Sequence, residues 1–372
     1  MFISEGIETI SLTFTSVSDY FPQPTDMKVK EFDFNLPEEL IAQHPCEPRD
    51  NSRMMVVNRE LESIECRYFR DIPDYLDADD VLVINDSKVI PARLIGTKPT
   101  GGTVEILLLS DKGTDSPRAH TWEVLLRPAK RVKIGTTIVF DKHSRAEVIE
   151  RTSEKKWILD FKTEQTFESF LEQYGRAPLP PYIKRSRTTE KDRHDLERYQ
   201  TVYASMPGSV AAPTAGLHFS ETILQKLTNR GVKIAPITLH VGYGTFLPVE
   251  TEYVEDHRME EEYFDIGKET VRLLNEAQRV VAVGTTATRV LETVTDKEGT
   301  IRHCSGHTSL FIYPGYQFKK VDRLMTNFHL PQSSLFLLVC SFAGKDLIMK
   351  AYQKAMEEKF RFYSYGDCML IL

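Results

Sequence analysis

Two histidines stand beside glycine-rich turns within one stretch, Pro207 to Val249. The first turn runs through small residues from Gly208 to Gly216, with Thr214 inside it, and ends at His218. The second, Gly242-Tyr243-Gly244-Thr245, begins just after His240. Turns without bulky side chains let backbone approach a ligand closely. Imidazole is the side chain that titrates unaided near neutral pH, so the pair suits proton transfer. A lone histidine beside such a turn reads as a hydrogen-bonded structural residue. Two in one helix–strand unit leave that reading and a polar ligand pocket evenly matched. Neither turn is a dinucleotide fingerprint, because Gly242-Tyr243-Gly244 lacks a third glycine and an immediate helix start. Neither is a P-loop, because no Gly-Lys-Ser/Thr follows. His303, Cys304 and His307 imitate a metal cluster but have no matching ligands elsewhere, so no metal is expected.

The positioning elements are legible around them. Ser220 is a fair N-cap for a helix whose apolar face is Ile223, Leu224 and Leu227, and Gly231 fits its end. A strand over Val232 to Val241 then delivers His240. Further on, a helix from Lys268 to Gln278 precedes a buried strand, Val280 to Gly284. Thr285 and Thr286 lead into a helix from Ala287 to Thr293, whose free backbone N–H groups favour an anion such as a carboxylate or phosphate. Plain capping by Thr286 is the alternative. Strands over Leu310 to Tyr313 and Arg323 to Phe328 follow, the second ending at His329. Ser333 or Ser334 caps an apolar helix, a helix runs from Lys345 to Phe360, and a strand closes the chain at Cys368 to Leu372. Asp367 sits in the lead-in to that strand, and Asp86 in the turn after another apolar one.

Val81 to Phe161 reads differently. VLVIND, ARLIGTK, TVEILLLS, TWEVLLR, TTIVFD, AEVIE and KWILDF are short β-rich runs split by turns, which argues for a small antiparallel barrel. Strand–helix units elsewhere argue for α/β. The expected fold is an α/β mixed-sheet main domain, discontinuous over 27–83 and 166–372, with a small antiparallel β-barrel domain inserted at 84–165. Residues 1–26 lack the positive n-region of a secretory signal and read as a disordered or mis-assigned leader.

The chain has 372 residues, 41% hydrophobic and 27% charged, with a net charge of −7. That length buries a sizeable core. An acidic protein must meet any nucleic acid with a local basic patch. Two runs qualify: Arg127, Lys130, Arg131 and Lys133, and, after the stiff Pro178 to Tyr182, Lys184, Arg185 and Arg187. Solvated surface is the alternative for both. Arg49, Asp50 and Arg53 suit either an anion site or a local ion-pair network. Five cysteines without a paired framework suggest a reducing cytoplasm. The longest apolar run, around Leu335 to Val339, is too short to span a bilayer.

PGSVAAPTAGLHF and ITLHVGYGTF resemble signature segments of the S-adenosylmethionine:tRNA ribosyltransferase-isomerase family of queuosine biosynthesis. Segments similar to that family recur in the same order: AQHPCEPRDNSRMMV, INDSKVIPARL, LLRPAKRVKIG, GRAPLPPYI, AVGTTATRVLE, LFIYPGYQF, TNFHLPQSSLFLLV and SYGDCMLI. The resemblance runs from about Met27 to the C-terminus. It implies an α/β domain interrupted by a barrel. It also implies transfer and isomerisation of the ribosyl part of S-adenosylmethionine onto the aminomethyl group of a deazaguanine at the tRNA wobble position. S-adenosylmethionine would be a consumed co-substrate, with no other cofactor, in a cytoplasmic monomer that needs no membrane. Proton transfer is expected of His218, His240, Asp86 and Asp367. Substrate contact is expected of Arg93, Gly208, Thr214, Gly216, Gly242, Tyr243, Gly244, Thr285, Thr286 and His329. The two basic runs would hold the tRNA backbone. An RNA methyltransferase fits worse, since its usual glycine-rich loop and acidic ribose partner are missing. A non-catalytic RNA-binding protein would not need the glycine–histidine pocket.

Overall fold

The computed structural model describes residues 26–113, 119–185, 189–246, 248–302 and 304–372. The expected leader therefore lies outside the described residues, Asp26 excepted. Among the described residues the first strands are β1 (Arg53–Asn58), β2 (Ser63–Tyr68) and β3 (Asp80–Asn85). A run of short strands follows: β4 (Ser87–Val89), β5 (Arg93–Thr97), β6 (Thr103–Asp111), β7 (Ala119–Arg127), β8 (Thr137–Val139), β9 (Arg145–Arg151) and β10 (Lys156–Lys162). Then come α1 (Phe167–Tyr174), α2 (Thr189–Arg198), β11 (Met206–Ser209), α3 (Glu221–Asn229), β12 (Lys233–Leu239) and β13 (Glu262–Ile266). The remainder is α4 (Lys268–Asn275), β14 (Arg279–Val283), α5 (Gly284–Val294), β15 (Cys304–Thr308), β16 (Arg323–Asn327), α6 (Ser334–Ala343), α7 (Lys345–Glu357) and β17 (Cys368–Ile371).

These elements fall into two compact units. The first holds the described residues up to Asp86, with Pro213–Leu239 and Gly244–Leu372. Among the described residues, its nine-stranded mixed sheet runs β15-β13-β12-β3-β14-β16-β17-β1-β2. β12, β3, β14 and β16 are mutually parallel neighbours, so their carboxyl ends share one edge. Ligands of open α/β sheets collect at such an edge. Every residue of β3 is buried, as a strand covered on both faces requires. VLVIND therefore belongs to the main sheet and not to the barrel. Its apolar run is continuous, whereas β6 alternates buried and more exposed positions as barrel strands do.

The second unit is Ser87–Ala212 with His240–Tyr243. Six strands close antiparallel in the order β10-β7-β6-β5-β8-β9. Leu94, Ile106, Val124, Val148, Leu159 and Phe161 fill the interior, joined by Phe167, Phe170 and Leu171 of α1. Thr166 caps α1 by accepting from Ser169 N. That helix completes the barrel's core, which carries the compact unit past the expected boundary at 165. The expected strand Leu310 to Tyr313 is absent: Leu310 N donates to Thr308 Oγ1 and Arg289 Nε to Leu310 O, so side chains satisfy that backbone.

Candidate active site

In the first unit Pro213 opens a 3-10 turn, Thr214–His218, that packs on β16 and α5. Gly216 N donates to Pro213 O at 2.8 Å, which tightens the turn; Thr214 is half-buried. Ser220 then caps α3, accepting from Ile223 N at 3.2 Å and donating to Asp50 Oδ2 at 2.7 Å. Gly231 closes that helix at φ +90°, a conformation that favours glycine.

The turn delivers His218 to a buried position. Its Nδ1 lies 2.7 Å from Ser52 Oγ, and its ring packs 5.5 Å from that of Phe69. Arg49 Nη1 donates to the neighbouring Leu217 O at 3.3 Å. Burial pushes the imidazole pKa down to about 3, and the Arg361 and Arg49 guanidinium groups push the same way. The Asn327 side chain, facing the ring, favours its charged form, although neither His218 Nε2 nor Asn327 Oδ1 has a partner within the distance and angle of a full hydrogen bond. The ring is therefore neutral at physiological pH, which corrects the expectation that it titrates near neutrality. Desolvation outweighs every influence that would charge it.

His329 follows the same rule. It is buried, its pKa is pushed down to about 3, and Thr326 Oγ1 sits 2.8 Å from Nε2 while its backbone N donates to Tyr352 Oη. Asp367, also buried, is fully engaged. Its carboxylate accepts from Arg53 N (3.1 Å), Arg361 N (2.8 Å) and Arg361 Nη2 (3.1 Å), which ties β1 to the loop ahead of β17. Asp86 accepts from Thr238 Oγ1 at 2.7 Å and its backbone N donates to Ile237 O, fastening the end of β3 to β12. Thr285 and Thr286 lie inside the first turn of α5 and not ahead of it. Val283 occupies the N-cap position and offers no side-chain acceptor, so capping by Thr286 does not occur. Thr286 Oγ1 is buried without a partner. At Gly244 a Cβ would come within 3.0 Å of Glu260 Oε2, so glycine lets that carboxylate approach the backbone.

The second unit gathers a separate group. Gly208 has φ +139°, and a Cβ there would come within 2.9 Å of His240 Cε1. The glycine thus makes room for the imidazole of His240, which is half-buried. Ser209 Oγ accepts from Val241 N at 2.9 Å and donates to Ala211 O at 2.7 Å, holding the segment around Gly242 in place. Burial raises the Tyr243 phenol pKa, with Arg127 opposing and Glu105 adding to the shift. Arg93 is already engaged, donating Nε and Nη2 to the two oxygens of Glu105 at 3.0 and 3.1 Å.

Of the basic runs, Arg127, Lys130, Arg131 and Lys133 are exposed around a short 3-10 turn, Ala129–Arg131. Lys98 Nζ donates to Arg131 O and adds a further cation. The second run divides. Lys184 is exposed, but Arg185 grips Asp195 through two hydrogen bonds at 2.6 and 2.9 Å with only 8% of its side chain accessible. Arg185 is therefore a structural ion pair and not a phosphate contact, and its Nη1 also donates to Lys184 O at 3.1 Å. Arg187 lies outside the described residues. Among those described, no group of His, Cys, Asp and Glu could hold a metal ion. Among the described residues, no helix is long and apolar enough to cross a membrane. The sequence reading did not single out Ser52, Asn327 or Glu105: the first two lie inside segments that resemble the family and Glu105 inside a β-rich run, and only the fold shows which side chains they meet.

A family described as queuosine biosynthesis protein matches residues 29–371. The S-adenosylmethionine:tRNA ribosyltransferase-isomerase of Syntrophus aciditrophicus is 56% identical over 362 residues, spanning 93% of this chain and 100% of the relative. Its counterpart in Desulforamulus reducens is 48% identical over 352 residues, with the same two coverages of 93% and 100%. The crystal structure of S-adenosylmethionine tRNA ribosyltransferase from Thermotoga maritima is 40% identical, covers 92% of this chain and 100% of its own, and superposes with a TM-score of 0.51.

Proposed function

The chain belongs to the S-adenosylmethionine:tRNA ribosyltransferase-isomerase family, and from that premise we propose how its residues carry the reaction. The enzyme transfers and isomerises the ribosyl moiety of S-adenosylmethionine onto the aminomethyl group of 7-aminomethyl-7-deazaguanine at the tRNA wobble position. Epoxyqueuosine-tRNA, adenine and methionine are the products.

The reaction needs a base for the ribose proton next to sulfur, a proton donor for departing adenine and a group that keeps the attacking amine uncharged. The sulfonium acidifies the adjacent carbon by itself, so we assign no metal or redox cofactor. The observation that carries the assignment of roles is the contrast between the two histidines. His218 is buried and neutral, with Nε2 open to a partner; it would bind and orient ligand through hydrogen bonds. His240, half-buried on Gly208, is our candidate for proton transfer. Asp86 and Asp367 hold the frame of the first unit, and in the second Tyr243, a neutral phenol, is our candidate for stacking on the ligand. The exposed cations Arg127, Lys130, Arg131 and Lys133, with Lys184, would hold the tRNA backbone. We place the enzyme in the cytoplasm, as a monomer.

Product analysis with tRNA carrying the deazaguanine tests the reading. Adenine and methionine should appear in equal amounts, and only when the modified tRNA is present. S-adenosylhomocysteine in their place would make the protein a methyltransferase, and no turnover at all would make it a binder.

A further inference from the structure

Three polar features of the first unit lack an explanation within the protein itself. α5 is an eleven-residue helix whose start is buried and has no side-chain cap. The first N–H groups of a helix have no intrahelical partner and carry its positive end, so a buried, uncapped start calls for an anion. Thr286 Oγ1 lies in that first turn, 3.5 Å from where a Cβ on Gly284 would sit; the residue is 6% exposed and the hydroxyl has no partner. A hydroxyl placed there has a proton to donate. The third feature is Asn327, 2% exposed, at the end of β16. Its Nδ2 donates to Tyr363 O at 2.9 Å, which fixes the amide orientation and leaves Oδ1, on the side of the His218 ring, an acceptor with no full hydrogen bond.

These features are neighbours. Val283 and Met325 are partners in the parallel ladder of β14 and β16, and Thr286 and Asn327 lie three and two residues beyond that rung. One place therefore offers donors for an anion beside an acceptor for a cation. His218 stands next to it, on the turn packed against both α5 and β16. A lone phosphate would satisfy the helix start but leave Asn327 Oδ1 unmet; an α-amino-acid head satisfies both.

We propose that the first turn of α5, Thr286 and Asn327 form a site for an α-amino-acid zwitterion, the methionine end of S-adenosylmethionine. The carboxylate takes the α5 N–H groups and the Thr286 hydroxyl, and the α-ammonium donates to Asn327 Oδ1. The inference rests on the proposed function, because it names the part of that co-substrate this edge of the sheet receives.

Calorimetry on the full chain tests it with two ligands, S-adenosylmethionine and 5′-methylthioadenosine, which has the nucleoside thioether but no amino-acid head. Thr286→Val keeps the shape and removes a buried, unmatched hydroxyl, so folding is not compromised. It should weaken S-adenosylmethionine by about ten-fold or more, the loss of a hydrogen bond to a charged group, and methylthioadenosine by less than about two-fold. Asn327→Leu should show the same discrimination. Equal weakening of both ligands, or none of either by Thr286→Val, overturns the site while wild-type turnover still stands. Wild-type enzyme that releases no adenine and methionine overturns the functional reading, and this inference with it.

Discussion

Acidification from pH 7.5 to 5.0 should weaken the first unit by about 4 kcal/mol through two imidazoles alone. The magnitude follows from burial. His218 and His329 each have a folded pKa pushed down to about 3, against about 6.5 in an unfolded chain. At pH 7.5 neither state binds a proton, so the linkage contributes nothing. At pH 5.0 the unfolded rings are nearly all protonated and the folded rings nearly all neutral, which costs about 1.5 pKa units, or about 2 kcal/mol, per ring. The sign follows from the unfolded state holding more protons: stability is complete above about 6.5 and falls steadily as the pH drops toward 3. Replacing one ring with a side chain that does not titrate, His218→Gln, should remove about half of the drop. Carboxylates titrate alike in wild type and variant, so the difference between the two profiles isolates the imidazole.

The assay must address the correct unit. Both tryptophans, Trp122 and Trp157, lie in the barrel, so tryptophan fluorescence follows the wrong transition. Native-state hydrogen exchange of the β3 and β14 amides, corrected for intrinsic rates, reports on the main sheet itself. Imidazole NMR supplies a direct check. Parallel stability profiles for wild type and His218→Gln, or a His218 resonance that titrates above about pH 5, would refute the argument from burial.

Gly208→Ala should cost about 1–3 kcal/mol, because φ +139° is strained for alanine and its methyl meets the His240 ring. In a His240→Ala background the steric part of that cost should vanish from the melting temperature, and His240→Ala itself should lower turnover by about 10²-fold. Asp195→Asn should destabilise the barrel unit by about 3–5 kcal/mol in denaturant unfolding, since it strips the buried Arg185 of its partner. Neutralising Arg127, Lys130, Arg131 and Lys133 together should flatten the salt dependence of tRNA binding by up to about 3 in log–log slope, while binding of S-adenosylmethionine alone stays unchanged. An unaltered slope would make those cations solvated surface.

Sequence order made the local devices readable. Ser220 caps α3, Gly231 ends it and Ser333 caps α6 as their side-chain chemistry demands. The barrel showed itself through short alternating runs, and the strand–helix alternation through its period. Tertiary context was not readable. VLVIND looks like its barrel neighbours until the helices covering β3 are seen. Gly208 reads as a ligand turn, but what it admits is the His240 ring, a residue 32 positions later. Arg185 reads as one cation of a run, yet the guanidinium is buried against Asp195. Asp367 looks like a catalytic carboxylate in a turn, but one of its donors, Arg53 N, comes from the far end of the chain. The depressed histidine pKa values are the clearest case, because desolvation is a property of the packed surroundings and not of the residue.

Why a dry imidazole should serve this chemistry follows from the charge of the co-substrate. A sulfonium is cationic at every pH, so a site containing imidazolium would repel it. At an effective dielectric of about 20, two like charges 4 Å apart repel by about 4 kcal/mol. If His218 contacts the co-substrate as we propose, burial that holds the ring neutral avoids this repulsion without removing its hydrogen-bonding capacity. The Arg49 and Arg361 charges nearby help to keep the imidazole deprotonated. The polyanion, in turn, would on our proposal meet the exposed cations Arg127, Lys130, Arg131 and Lys133 of the barrel unit, exchanging counterions for phosphates. A protein with a net charge of −7 can thus bind both a cationic nucleoside and tRNA. The requirement is that its positive groups are local: the uncapped start of α5, proposed for the carboxylate, in one unit and exposed cations in the other.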